Sequence, residues 1–343
     1  MFLQLANIPP PPLRGADGMT TFDIGPLSIA AYGVLIAIGA YVALRVLVRR
    51  YAAMGGDPDL AERAALVAIA AAIVGSRIGY VLPRLDTFLA DPLLIPQVWR
   101  GGLAFFGGVA LAVPTTWWYV HRKGGDIARM VDAVAPALPI GHAIGRWGNY
   151  FNQELYGRPT DLPWALEVEA HRRVVGFGDA ETFHPTFLYE SLLNLLLATV
   201  LLWIDRRQAR FEVRRLRRGS LGFLYFIGYG VIRFNMEQLR IDTAERYLGL
   251  SRNSWVALLV IVIGIVGVLW WQRRGRRGDA GEGSGADERT DDAIEDGPDD
   301  RAEDGPDDRA DTYLAGRDLT DGTSADGEDA PDQDHPDQRR DEP

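Results

Sequence analysis

The chain has 343 residues, no cysteine, and 46 acidic against 36 basic residues, a formal net charge of −10. Without cysteine it can hold no disulfide, no thiolate metal site and no thioester intermediate of its own. The averages conceal two different parts: residues 279–343 carry 25 acidic and 6 basic residues (net −19), while residues 1–278 carry 21 acidic and 30 basic (net +9).

Residues 1–26 include Pro9 to Pro12 and lack a basic n-region, so we expect an extracytoplasmic arm rather than a cleaved signal. Seven apolar stretches approach the about 20 residues needed to cross roughly 30 Å of hydrocarbon. They are 27–48, 64–82, 102–120, 131–147, 186–204, 221–234 with its flanks, and 255–271. Polar residues invade the ends of the fourth and sixth. Each odd-numbered stretch is followed by a basic cluster: Arg45, Arg49 and Arg50; Arg122 and Lys123; the run from Arg206 to Arg218; and Arg273 to Arg277. Such clusters stay in the cytoplasm.

The expectation is an all-α polytopic membrane protein with seven transmembrane helices over 27–278, N-terminus outside and C-terminus cytoplasmic. A long insertion at about 150–185 should form a small extracytoplasmic head. Within it 158–163 is turn-rich, and Trp164 to Val168 alternates like a short strand. Residues 279–343 contain the tandem repeat Glu295-Asp-Gly-Pro-Asp-Asp-Arg-Ala302 and 303–310. High charge with Gly and Pro predicts a disordered cytoplasmic tail, dispensable for chemistry.

Four polar sets interrupt the apolar body. The first is Gly145-Arg-Trp-Gly-Asn-Tyr-Phe-Asn-Gln-Glu-Leu-Tyr-Gly157, which carries Arg146, Asn149, Asn152 and Glu154. The second, Tyr229, Arg233, Glu237 and Arg240, makes one helical stripe. Arg77, Tyr80 and Arg84 make another. The fourth is His184-Pro-Thr-Phe-Leu-Tyr-Glu190, with Tyr32 as a possible companion. Charges at membrane depth are costly and mark polar sites. The topology brings the first, second and fourth sets to the outer leaflet, with Arg77 mid-to-outer in its span. Several guanidiniums at one depth suit a phosphate, since the planar fork donates paired hydrogen bonds. The same charges would also serve a transporter or channel for an anionic solute. An intramembrane serine protease is less suited, because the body has no Gly-x-Ser-x-Gly.

Over roughly 22–271 the chain resembles the bacterial prolipoprotein diacylglyceryl transferases. The resemblance rests on Ile24-Gly-Pro with Tyr32-Gly33, Gly75-Ser-Arg-Ile-Gly-Tyr-Val81, Gly101-Gly-Leu-Ala-Phe-Phe-Gly-Gly108, the 145–157 signature, Arg158-Pro-Thr-Asp-Leu-Pro-Trp164, the 184–190 motif and Gly228-Tyr-Gly-Val-Ile-Arg-Phe-Asn-Met-Glu237. It implies a plasma-membrane enzyme that moves the diacylglyceryl group of phosphatidylglycerol onto the lipobox cysteine thiol of a preprolipoprotein, releasing glycerol-1-phosphate. The implied partners are phosphatidylglycerol, preprolipoprotein signal peptides and the bilayer. We expect no cofactor, no metal and no nucleic-acid partner.

By motif, Arg146 and Arg233 correspond to essential family arginines. Tyr32, Asn149, Glu154, Gly157, Tyr229 and Glu237 match positions that matter for family activity, and Arg77 matches a motif of weaker implication. We expect a catalytic set of Arg146, Arg233, Glu154, Tyr32 and His184, and a substrate-binding set of Arg146, Asn149, Gly157, Arg77, Tyr229, Glu237 and Arg240. Glu154 and Glu237 are expected to orient the two guanidiniums. Where some members carry a histidine proposed as the general base, this chain has Phe106. His142 and His184 are the remaining histidines in reach, and the proton acceptor stays unassigned.

Overall fold

The computed structural model describes residues 7–11, 21–24, 27–98, 101–210, 216–242 and 246–283. Strands β1 (Thr21–Ile24) and β2 (Leu27–Ala30) pair antiparallel and lead into helix α1 (Ala31–Ala53). Helix α2 (Pro58–Val81) starts on Asp57, whose carboxylate accepts from Asp59 N–H, with Pro58 in the first turn. Both are favoured there, because the first helical N–H groups lack partners within the helix. A 3-10 turn and the short α3 (Leu85–Ala90) follow, then α4 (Phe105–Arg122).

The fourth apolar stretch is not one helix. It is α5 (Ile127–Val134), α6 (Ala137–Gly145) and α7 (Trp147–Asn152), the first break falling at Pro136, which cannot donate to the preceding turn. Strands β3 (Leu166–Glu167) and β4 (Thr182–Phe183) precede α8 (Thr186–Arg210) and α9 (Ser220–Leu239). Strands β5 (Arg246–Tyr247) and β6 (Leu250–Ser251) precede α10 (Arg252–Gly283).

Five helical stretches are long and apolar enough to cross a membrane: Ala31–Ala53, Pro58–Ala90, Ile127–Asn152, Thr186–Gln208 and Arg252–Arg274. Their outward faces carry exposed Ile36, Ile73, Leu192, Leu259 and Trp270, while Glu190, Asn194 and Glu237 are buried inside. That inversion of the soluble pattern marks a largely helical, polytopic membrane protein. The third and sixth of the seven expected spans fall short of the same standard. Helix α4 has 18 residues, with Pro114 inside and His121 and Arg122 in its last turn. Helix α9 gives its last turns to Arg233, Asn235, Glu237 and Gln238, so its site residues lower its hydropathy. Both nevertheless pack along full-length spans, α4 on α2 and α9 on α10. The α2–α4 contact is close enough that a side chain at Gly75 would strike the backbone at Gly107.

Three two-stranded antiparallel ribbons correct the expectation of an all-α fold. They are two to four residues long and sit at chain reversals, too short to express a hydrophobic period. One of them, β3, falls within the alternating segment from Trp164 to Val168. Helix α7 runs to Asn152, so the head begins a turn later than expected and covers 153–185. Its core is Tyr156, Leu166, Val168, Phe183 and Phe187. Ile8 joins the edge of β3, accepting from Glu167 N–H at 2.9 Å and donating to Ala165 O at 2.8 Å. At the other end of the bundle Asp132 caps α9, accepting from Gly219 N–H at 2.7 Å and Leu221 N–H at 3.0 Å. Arg50 bridges there to Asp205 at 3.1 Å. Helix α10 continues through residues 279–283, past the expected boundary; the rest of the expected tail, 284–343, lies outside the described residues.

Candidate active site

Arg146 sits where α6 gives way to α7, its N–H still bonded to His142 O at 3.0 Å. Arg233 lies in the last two turns of α9. The two guanidiniums meet at a carboxylate from a third helix. Glu190, one turn into α8, is buried and lies 2.5 Å from Arg146 Nε through Oε2, and 3.9 Å from Arg233 Nη1 through Oε1. A buried carboxylate is tolerated when opposite charges face it.

Each arginine has further support. Arg233 Nη2 is 2.8 Å from Glu237 Oε2, one turn along α9. Glu237 is itself buried, and its Oε1 accepts from Ser251 Oγ at 2.9 Å and Asn253 Nδ2 at 3.0 Å. The expected pairing of Glu237 with Arg233 is therefore present.

Glu154 differs from expectation. Its Oε1 accepts from Asn149 Nδ2 at 3.0 Å and Asn152 Nδ2 at 3.2 Å. It reaches Arg146 only through Asn149, whose Oδ1 is 3.4 Å from Arg146 Nη1. The carboxylate that grips Arg146 is Glu190, a residue that sequence reasoning passed over. Its signal was present, since it is an ionisable side chain inside a membrane-length helix.

The backbone presents Glu154 by force. Gln153 and Leu155 on either side have φ of 49° and 60°, the left-handed region that non-glycine residues avoid. Surrounding bonds hold them there: Glu169 N–H donates to Gln153 Oε1 at 2.9 Å, and Thr186 Oγ1 donates to Leu155 O at 2.5 Å. Strain kept by such over-determination is typical of functional sites.

Tyr32 lies over α7, and a side chain on Gly148 would collide with its ring. It is 37% exposed, at the margin of the cluster. Tyr229 packs on His142 with ring centroids 5.3 Å apart and stacks on Tyr225 at 5.8 Å.

Gly157 is a junction. Its N–H donates to His184 O at 2.9 Å, it bridges to Arg240, and a Cβ there would stand 2.8 Å from His184 Cβ and 3.2 Å from Leu239 O. Arg240 is committed to Asp242 by two bonds of 2.9 and 2.5 Å. Burial pushes the Asp242 carboxyl up, but the hydrogen bond and charge of Arg240 outweigh it and hold it below the usual value. His184 Nδ1 is 3.3 Å from the Tyr189 hydroxyl, which accepts from Trp164 Nε1 at 2.8 Å. Burial, then the nearby Arg158, lowers the His184 pKa.

Arg77 does not join this cluster. Its guanidinium donates to Ile95 O at 2.7 Å, Leu94 O at 2.5 Å, Gly101 O at 2.8 Å and Gly102 O at 3.0 Å. Its donors clamp the loop between α3 and α4. Phe106 is 57% exposed, edge-on to Phe105. No group of three or more metal-ligating side chains occurs among the described residues.

Residues 19–270 match the family model described as prolipoprotein diacylglyceryl transferase. The chain belongs to that family. It is 38% identical over 297 residues to phosphatidylglycerol--prolipoprotein diacylglyceryl transferase 2 of Streptomyces coelicolor, covering 84% of this chain and 90% of that protein. It is 41% identical over 285 residues to the phosphatidylglycerol--prolipoprotein diacylglyceryl transferase of Corynebacterium diphtheriae, covering 79% of this chain and 96% of the relative. The Frankia alni protein of that name is 42% identical over 264 residues, 76% of this chain and 66% of the relative. The matched range includes Arg146, Glu190 and Arg233, the three side chains that meet across α6, α8 and α9.

Proposed function

We propose that this protein transfers the diacylglyceryl group of phosphatidylglycerol to the lipobox cysteine thiol of preprolipoproteins and releases glycerol-1-phosphate. The observation that carries the reading is the Arg146–Glu190–Arg233 bridge. Two guanidiniums from separate helices converge on one point inside a membrane protein of the transferase family.

The chemistry follows from that pair. A thiolate attacks the glyceryl carbon bonded to the phosphate oxygen, and negative charge builds on the departing phosphate monoester. Arg146 and Arg233 supply fixed positive charge where that charge develops, with little reorganisation because Glu190 and Glu237 already orient them. Asn149 and Glu154 hold Arg146 from the α7 side. Tyr32 and Tyr229 border the site with aromatic rings suited to the boundary between headgroup and acyl chains.

The proposed topology keeps seven spans, N-terminus outside and C-terminus cytoplasmic, with α4 and α9 as the third and sixth. The packing of α4 on α2 and α9 on α10, and the basic clusters after odd spans, support it. It puts the site at the outer leaflet of the plasma membrane, beneath the head, where a secreted lipobox emerges. Residues 1–26 are then an outer arm, and the acidic tail is cytoplasmic.

The deciding experiment reconstitutes the protein with labelled phosphatidylglycerol and offers a lipobox peptide or its Cys→Ala counterpart. Label moving to the cysteine peptide alone is the expected result. Transfer to neither peptide by folded protein would sink the proposal.

A further inference from the structure

Buried polar atoms in folded proteins are nearly always hydrogen-bonded, so an exception calls for an explanation. His142 Nδ1 is buried and has no hydrogen-bond partner among the described residues. Its ring packs on Tyr229. His142 precedes Arg146 by one helical turn, and Tyr229 precedes Arg233 by one turn in the same sense. Together they form a layer about 6 Å further into the bundle than the arginine pair. In the upper layer Arg233 Nη1 is also without a hydrogen-bond partner among the described residues. An imidazole nitrogen without a hydrogen-bond partner thus lies on α6, one turn before the break that carries Arg146.

We infer that His142 is a catalytic residue that takes the proton of the acceptor thiol. This rests on the transferase reading above. In a displacement at carbon, the sulfur approaches opposite the departing oxygen. With the phosphate on Arg146 and Arg233, that approach lies on the inner side of the glyceryl carbon, the level of the His142 ring. The S–H proton moves to His142 Nδ1 in its Nε2–H tautomer. The sulfur lone pair forms the S–C bond, and the C–O pair leaves on the phosphate oxygen. The imidazolium then returns its proton to the phosphate monoester.

The neighbouring carboxylates are poorly placed for this task. Glu190 is shared by two guanidiniums, and Glu237 is held by Arg233, Ser251 and Asn253. Glu154 accepts from two asparagines. Each of these carboxylates is thus already engaged by cations or hydrogen-bond donors. His184 Nδ1 faces Tyr189.

The test compares parent, His142→Ala and His142→Gln in bilayer discs with labelled phosphatidylglycerol and a lipobox peptide, with thermal melting followed in parallel. Both variants should lose about 100-fold or more in kcat, with KM for the lipid within about threefold of parent. Added imidazole should restore His142→Ala and not His142→Gln, whose side chain fills the space without accepting a proton. A kcat within about threefold of parent in either variant overturns the assignment. So does a loss in His142→Ala that imidazole leaves unchanged. A parent protein that transfers no label overturns the transferase reading instead.

Discussion

Glu190 Oε2 lies 2.5 Å from Arg146 Nε, joining α8 to the break between α6 and α7. The acid is buried, so this contact fixes where the guanidinium can point. Its other oxygen faces Arg233, and a single carboxylate therefore registers both cations.

Arg146→Lys and Arg233→Lys keep the charge and lose the planar fork. Each should reduce transfer by about 100-fold or more, the scale of removing one preorganised donor from a transition state. Protein yield in the membrane fraction should be unchanged. Initial rates with labelled phosphatidylglycerol measure the effect.

Glu190→Gln takes the buried shared anion away from two half-buried guanidiniums. Breaking a buried pair from one side costs about 3 kcal/mol or more. A lower melting temperature in detergent should therefore accompany the loss of transfer. Glu237→Gln should be milder in stability, because Ser251 and Asn253 can still donate to the amide oxygen.

Arg77→Ala tests the hold of that residue on the loop between α3 and α4. Loss of four bonds to backbone carbonyls should loosen the loop between α3 and α4, at a cost of about 2 kcal/mol. Hydrogen exchange over residues 92–102 should accelerate. The KM for phosphatidylglycerol should stay within about threefold of parent. A large KM increase without faster exchange would return Arg77 to the substrate-binding set.

Acid sensitivity should trace in part to Asp242. Its folded pKa lies below the usual aspartate value, so the unfolded chain binds the proton first as pH falls. The Arg240–Asp242 contribution is complete above that value and drains away as pH drops through it toward the folded pKa. Asp242→Asn should flatten the stability profile below about pH 4. Melting curves between about pH 3 and 6 in detergent report it.

Arg146 and Arg233 were legible in the sequence because charges in apolar helices have few bland explanations. Glu237 was legible because it stands one turn from Arg233 on the same helix. Glu190 was not chosen as a partner, since the contact to Arg146 crosses between helices and spacing along one chain segment carries no trace of it. Arg77 shows the converse: depth in the membrane was readable, but not that backbone carbonyls of a following loop would occupy its donors. The five stretches long and apolar enough to cross a membrane followed from apolar length. The break at Pro136 and the two-residue ribbons depend on local turns that hydropathy does not register.

The head is stitched to the bundle along one short segment. Gly157 N–H donates to His184 O, His184 N–H donates to Arg158 O, and Arg158 N–H donates to Leu239 O, each bond 2.9 or 3.0 Å long. Arg158 Nη2 adds a bond to Gln238 O at 2.5 Å. The segment is thus fastened to His184, just ahead of α8, on one flank and to the end of α9, the helix that carries Arg233, on the other. Lifting it would unseat both, so the roof is part of the frame. A cross-link within the head should then leave turnover intact, while one that pins neighbouring helices together should stop it.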